Sequence, residues 1–244
     1  MAFSPPFQRV FPATFDRRAT VAAAAPYSLY FDGANDIVDC GTPASLDDLA
    51  AGDMTVDVYW QATTASIPAG PCHLFGQIGA ALTSGWLVYF SNAAGGAMYL
   101  FVVNGAGSFV QTAKLFTWSQ NAWYYVRARR ASNTLYVSVN TVTQPTPQAI
   151  VGYTGNNLSI THGASADLSR DFTGRICYVH AWNTNKGDLA TVPSSPFVVD
   201  ANTVGRWIYS NGSGTTLTDT SGNSNHGTIS GATWSGTVPA GWTI

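Results

Sequence analysis

The 244-residue sequence contains no glutamate, and all 13 of its acidic residues are aspartates. Lysine is almost absent as well, because Lys114 and Lys186 are the only two in the chain. Helical surfaces normally use glutamate and lysine, so this scarcity argues against a helical bundle, a coiled coil or a doubly wound α/β domain. Charged residues make up only 10% of the sequence, and the polarity of the surface must come from Ser, Thr, Asn, Gln and Gly.

The sequence also lacks a strong excess of either charge and any long hydrophobic run. A formal net charge of −2 gives no electrostatic footprint for nucleic acid and no polybasic patch for anionic lipid. No stretch approaches the roughly 18 apolar residues that a membrane span needs. Prolines and arginines interrupt residues 1–18, so we expect no signal peptide and synthesis in the cytosol.

Cysteine is scarce, and the three cysteines form no CxxC motif and no even framework for disulfides. Cys40 and Cys177 lie among residues typical of strands, while Cys72 follows a proline. Buried free thiols are therefore favoured over a disulfide, and a zinc site is disfavoured because neither cysteines nor histidines cluster.

The sequence is rich in residue types that are typical of β-strands. Aromatic residues make up 13% of the chain, and strand-like runs alternate with turns rich in Gly and Asn from residue 27 onward. Residues 54–60 alternate strictly, which places Met54, Val56, Val58 and Trp60 on one face. The pattern predicts one all-β domain, a sandwich or jelly roll, over residues 27–244.

Residues 1–26 form a separate segment that we interpret as an extended N-terminal arm. Prolines at positions 5, 6 and 12 exclude a regular helix or a central strand there. Disordered segments are poor in aromatic residues, yet this one carries four phenylalanines. The arm either packs on its own domain or docks on another subunit, and the apparent completeness of the domain favours docking. The candidate docking residues are Phe3, Phe7, Arg9, Phe11, Phe15, Arg17 and Arg18.

Two segments resemble the laminin G-like, concanavalin A-type jelly-roll domains. Residues 28–38 read SLYFDGANDIV, similar to the opening "sLxFDGxNDyV" of that family. Residues 214–234 read GTTLTDTSGNSNHGTISGATW, similar to its closing "GtxLxDxSGNgNhGtisgatW". The resemblance implies a jelly-roll sandwich for residues 27–234, but this fold hosts lectins, adhesion modules, glycanases and structural pieces.

The arm carries a shorter resemblance. Residues 7–17, FQRVFPATFDR, are similar to the "FxRvFxPTF" openings of tailed-phage virion proteins that precede such domains. The resemblance implies a non-enzymatic virion protein, a head decoration, fibre or tail appendage, held by its arm on capsid or tail subunits. It would be present in several copies as a homo-oligomer and would contact a host-surface glycan. The alternatives are a bacterial surface or secreted carbohydrate-binding protein and, less favoured, a polysaccharide depolymerase.

The resemblance brings three kinds of site into question: a glycanase site, a calcium site and a sugar-binding site. Jelly-roll glucanases that it resembles use an E-x-D-x-x-E strand for nucleophile and acid/base, and a chain without glutamate has no such motif. The hard oxygen donors Asp32, Asn35, Asp36 and Asp219 suit Ca²⁺, although the favoured alternative is that these short side chains cap their own loops. No other cofactor is expected.

Sugar binding requires an aromatic face that is open to solvent. Most of the eight tryptophans lie in alternating strands and are expected in the core, whereas Trp118 and Trp242 lie in looser context. The sequence therefore offers Trp118 and Trp242 as candidate glycan-stacking residues, with covering of the domain edge as the alternative.

Overall fold

A computed structural model describes Met1 and residues 25–67, 70–79 and 81–244. The candidate docking residues Phe3, Phe7, Arg9, Phe11, Phe15, Arg17 and Arg18 lie outside these described residues, so their role stays a prediction.

The described chain consists of short strands and two 3-10 helices. The strands are β1 (Ser28–Asp32), β2 (Ile37–Asp39), β3 (Met54–Ala62), β4 (Cys72–Ile78), β5 (Gly85–Ser91), β6 (Ala97–Val103), β7 (Phe109–Leu115), β8 (Trp123–Ala131), β9 (Thr134–Val139), β10 (Val142–Thr143), β11 (Gln148–Ala149), β12 (Thr161–His162), β13 (Thr173–Trp182), β14 (Thr203–Trp207), β15 (Thr216–Leu217), β16 (Gly227–Ser230) and β17 (Thr233–Ser235). The 3-10 helices are Leu49–Ala51 and Ala93–Gly95.

These strands form two antiparallel sheets. The first sheet has the order β10-β9-β8-β3-β13-β1-β17, with β11 beside β9 and β14 beside β13. The second sheet has the order β15-β16-β2-β12-β4-β5-β6-β7, so β7 is its last strand. The all-β sandwich expected from the sequence is confirmed.

The two ends of the domain lie side by side, as the two family-like segments predict. Leu29 of β1 pairs with Trp234 of β17 in the first sheet. Val38 of β2 pairs with Ile229 of β16 in the second sheet. Each sheet thus joins the opening segment to the closing segment, which ties the domain's first strands to its last.

The core lies between the sheets and is filled by the inward residues of alternating strands. Met54, Val56, Val58 and Trp60 of β3 are all fully buried. The Trp60 ring lies 4.8 Å from that of Phe90, centroid to centroid, across the two sheets. Truncating a buried aromatic side chain of this kind costs about 3–5 kcal/mol of stability, so these contacts contribute strongly to holding the sheets together.

The three cysteines are free and buried, which confirms the expectation from their spacing. Among the residues described, no helix has the length and apolar character to cross a membrane.

Candidate functional site

The outer face of the second sheet carries more apolar side chains than a solvated sheet face needs. In β5, alternation sends Trp86, Val88 and Phe90 into the core. Leu87 and Tyr89 therefore point to the opposite face, where they form a separate apolar cluster with residues of β4 and β6. An antiparallel sheet commonly has one solvated, polar face, so this second apolar cluster marks the face as unusual.

Two pairs of stacked rings run across this face from β5 to β7. Tyr89 stacks on Tyr99 with ring centroids 4.6 Å apart and an interplanar angle of 5°. Phe101 stacks on Phe109 at 5.2 Å and 22°. The register explains the stacks, because Tyr89 pairs directly with Tyr99 and Phe109 lies diagonal to Phe101. We call these four residues the aromatic strip.

The strip is buried at its centre and open at its edge. Tyr89 and Phe101 are 6% and 3% exposed, whereas Phe109 on the last strand is 56% exposed. One face of the Phe109 ring rests on Phe101, and the ring's exposure leaves apolar surface open beside the sheet edge. An open ring that continues a buried apolar cluster can mark a binding site, whereas a single exposed apolar side chain is ordinary.

Polar groups accompany the rings. The Tyr89 hydroxyl donates a hydrogen bond to Gln111 Oε1 at 2.9 Å. Burial, together with neighbouring Tyr99, raises the pKa of Tyr89, so the phenol stays a neutral donor at physiological pH. Gln111 is itself exposed on β7, and its amide NH₂ group is a hydrogen-bond donor of the kind that a ligand hydroxyl could accept.

A depression of about 500 Å³ adjoins the strip at the β4–β5 turn. Leu82 lines the depression and also packs against the apolar cluster that contains Tyr89 and Phe101. The polar lining includes Ser84, Asn156 and Asn157. The Asn156 amide nitrogen donates to Ser84 Oγ at 3.3 Å, which fixes the side-chain orientation. The apolar cluster and a depression lined by amide and hydroxyl groups are therefore joined through Leu82.

The structure gives the two candidate tryptophans other roles. Trp242 is only 4% exposed, and its ring packs 5.3 Å from both Tyr59 and Tyr178 on the outer face of the first sheet. Trp118 is half-buried against Phe90, and its indole N–H donates to Asn92 Oδ1 at 2.9 Å. The glycan-stacking interpretation is therefore wrong for Trp242, whose ring is covered by protein. Trp118 closes the edge of the core, which is the alternative that the sequence left open.

The candidate calcium ligands are occupied by their own loops. Each carboxylate oxygen of Asp219 accepts two hydrogen bonds. Oδ1 accepts the backbone amides of Arg206 and Ser221. Oδ2 accepts the Ser221 hydroxyl and the Asn225 backbone amide. In the other loop, Asp32 Oδ1 accepts the Ala34 amide at 2.8 Å. These bonds are the loop-capping contacts that the sequence favours for Asp32 and Asp219, and calcium binding stays an untested prediction.

The remaining two candidates, Asn35 and Asp36, lie in the loop that follows Asp32. Asp36 Oδ2 accepts the Asp32 amide at 2.7 Å, and burial raises the pKa of the Asp36 carboxyl. Asn35 lies exposed between them. The described part of the chain holds no group of three or more His, Cys, Asp or Glu side chains placed to bind a metal ion.

Sequence analysis missed the aromatic strip, although a signal for it exists. Residues 85–90 and 98–103 are apolar or aromatic at nearly every position, including those that alternate away from the core. A strand that is apolar on both faces is fully buried or carries an apolar patch outside. Only the sheet order, which places β7 at the edge, decides that Phe109 is open.

Comparison with known proteins shows a similarity of fold and no similarity to a sequence family. No family model matches the sequence, and no curated protein matches it. A candidate carbohydrate binding protein from Bacteroides ovatus superposes with a TM-score of 0.63 and 13% identity, over 86% of this chain and 60% of that one. The K499G mutant of NanB sialidase from Streptococcus pneumoniae gives a TM-score of 0.52 and 17% identity, over 69% of this chain and 28% of that one. Domains LG4-5 of the mouse laminin alpha1 chain superpose with a TM-score of 0.49 and 15% identity, over 68% of this chain and 42% of that one.

These similarities concern the architecture. The chain spans 60% of the length of the Bacteroides ovatus protein and 28% of the sialidase. At such identities the same fold hosts different functions. The two-sheet topology and the superpositions on the Bacteroides ovatus protein and the sialidase together show that this chain has an all-β jelly-roll sandwich fold.

Proposed function

We propose that the protein is a non-enzymatic glycan-binding jelly roll that holds a saccharide chain on the aromatic strip. The observation that carries the proposal is the open ring of Phe109 at the sheet edge, stacked on Phe101. Phe101 belongs to the apolar cluster that contacts an amide-lined depression through Leu82. A sugar ring has apolar C–H faces and a rim of hydroxyls, so it needs an aromatic surface and fixed polar partners together. Both are present on this face.

The electrostatics of the chain favour a neutral or weakly charged ligand. Only 10% of the residues are charged, and Phe109, Gln111, Asn156 and Asn157 have side chains that do not ionise. Binding would depend on stacking and on hydrogen bonds, and the affinity should change little with salt because few ions are displaced.

Two further observations support a binding role over a catalytic one. The sequence contains no glutamate, so the paired glutamates of jelly-roll glucanases have no counterpart. The Bacteroides ovatus protein that shares the fold is described as a candidate carbohydrate binding protein.

The setting we propose for this activity is a phage particle. Support comes from the N-terminal sequence, where four phenylalanines and three arginines within residues 1–18 suit an anchor on capsid or tail subunits. The domain, presented in several copies, would then contact host-surface glycans. A bacterial surface or secreted carbohydrate-binding protein would use the same site, and the fold shared with the Bacteroides ovatus protein favours that second candidate. Deleting residues 1–26 separates the two, since only the virion role requires the arm for assembly onto particles.

A glycan array tests the binding activity. The full chain is applied to bacterial surface polysaccharides and oligosaccharides, beside the variants Phe109→Ala and Val142→Ala. Val142 is the matched control, because it is 57% exposed on the first sheet while Phe109 is 56% exposed on the second. We expect Phe109→Ala to weaken binding about tenfold, equivalent to about 1.4 kcal/mol, and Val142→Ala to leave it unchanged. Absence of any bound glycan, or equal loss in both variants, would contradict the proposal.

A further inference from the structure

A second cleft lies on the opposite side of the sandwich. Residues 183–202 cross the outer face of the first sheet without forming a strand. Between this segment and the sheet is a cavity of about 240 Å³, lined by Arg127, Trp182, Lys186, Asp188, Phe197 and Asp200, among others. Pockets for drug-sized ligands measure roughly 300–1,000 Å³, so this one suits a smaller molecule. It shares no lining residue with the aromatic strip or its depression.

Hydrogen bonds to the sheet hold the cleft in shape. The Thr55 hydroxyl donates to the Thr184 carbonyl at 2.8 Å and accepts the Lys186 amide at 2.9 Å. Arg127 donates to the Gly187 carbonyl at 3.1 Å. The guanidinium of Arg127 is fixed in turn by Asp57, because Nε donates to Oδ1 at 2.8 Å and Nη2 donates to Oδ2 at 2.7 Å. A cleft whose walls are already fixed loses little entropy when a ligand enters.

The lining is aromatic below and charged at the rim. Trp182 is buried, with its ring stacked on His180 at 3.6 Å, and the half-buried Phe197 ring packs edge-on against it at 5.9 Å. Above them, Lys186 pairs with Asp200 at 2.7 Å. Asp200 Oδ2 accepts Lys186 and Oδ1 accepts the Asn202 backbone amide at 2.9 Å, but the side chain is 42% exposed, so a ligand can still reach the carboxylate.

The charges in the cleft balance. Arg127 and Lys186 are opposed by Asp188 and Asp200 within the lining, and Arg127 and Asp188 have further partners in Asp57 and Arg129. The hydrogen bond from Lys186 lowers the pKa of Asp200, which keeps that carboxylate an acceptor. A balanced set of acceptors and donors favours a neutral ligand with several hydroxyls, because a charged ligand would find no net opposite charge.

We propose that this cleft binds one neutral sugar residue, with hydroxyls donating to Asp188 and Asp200 and accepting from Lys186 beside the Phe197 ring. This site is independent of the aromatic strip, so the domain would carry two saccharide contacts on opposite faces. Neither contact requires the other.

Titration of the full chain with methyl glycosides tests the inference. The probes are methyl glycosides of glucose, galactose, mannose and N-acetylglucosamine, with methyl glucuronide and methyl glucosaminide as charged comparisons, followed by ligand-observed NMR. We expect saturable binding of at least one neutral glycoside, at least tenfold tighter than either charged one. Absence of saturable binding by every neutral glycoside, or tighter binding of a charged one, would overturn the proposal.

Variants locate the bound glycoside. Asp200→Asn should weaken it at least tenfold, since the amide cannot replace a carboxylate paired with Lys186. Asp39→Asn is the matched control, because Asp39 is also an exposed carboxylate that caps a nearby backbone amide. Phe109→Ala should leave this binding unchanged. Loss on Phe109→Ala with retention on Asp200→Asn would assign the glycoside to the aromatic strip and refute a sugar site in the cleft.

Discussion

Removing Arg127 should destabilise the domain strongly, because this side chain neutralises a carboxylate in the interior. Asp57 is fully buried and Arg127 is 3% exposed, and two hydrogen bonds of 2.8 and 2.7 Å join them. The Tyr125 hydroxyl also donates to Asp57, at 2.5 Å. Arg127→Met leaves the carboxylate with Tyr125 alone, beneath the 183–202 segment.

The expected loss follows from the burial of both groups. Breaking a buried ion pair by removing one partner costs about 3–5 kcal/mol. In a domain of this size each kcal/mol lowers the melting temperature by about 2–4 °C, so we expect a fall of roughly 6–20 °C. Thermal and urea unfolding followed by circular dichroism at pH 7 measure the change.

Two comparison variants make this prediction sharp. Asp57→Leu combined with Arg127→Met removes both charges and should recover most of the lost stability, because no unpaired charge remains in the interior. Lys186→Met breaks the exposed pair with Asp200 and should cost about 0–1 kcal/mol. A loss below about 1 kcal/mol for Arg127→Met, or no difference from Lys186→Met, would refute the reasoning.

Three other properties are expected. Burial lowers the pKa of His73 to about 4 and of His162 and His180 to about 3. The unfolded chain therefore binds more protons below about pH 6.5, and stability should fall toward pH 4, by up to about 4 kcal/mol per pH unit from these three histidines. Urea unfolding between pH 7 and pH 4 measures this fall, and a stability that stays constant over that range would contradict it. The three buried cysteines, whose pKa values burial raises, should react with a thiol reagent only in denaturant, and rapid labelling of the native protein would be inconsistent with their positions. Because protein donors already use Asp219, melting curves with calcium and with a chelator should coincide, and a calcium-dependent rise would contradict the loop-capping role.

The fold could be predicted where the sequence pattern lies within one strand or within one of the two family-like segments. Strict alternation in β3 identifies Met54, Val56, Val58 and Trp60 as inward, and all four are fully buried. The family-like segments at the two ends predict that the first and last strands are neighbours, and Leu29 pairs with Trp234. Alternation and turn chemistry act between residues near in sequence, so the sequence displays them directly.

The candidate site could not be predicted in the same way. Trp242 follows the last strand in a loose context, yet it packs on Tyr59, which is distant in sequence. Phe109 follows a short turn like many buried residues, and only its place on the last strand of the second sheet leaves it open. Exposure depends on which strands become neighbours, and alternation within one strand carries no information about that order.

Hydrogen–deuterium exchange of the full chain, with and without the saccharide that binds most tightly on the array, tests the central claim most directly. If the aromatic strip holds the saccharide, amides of β6 and β7 and of the neighbouring β4–β5 turn should exchange more slowly when it is bound, and Phe109→Ala should abolish that protection. Protection confined to the first sheet, or none on β7 under saturating saccharide, would contradict the claim that this face binds glycan.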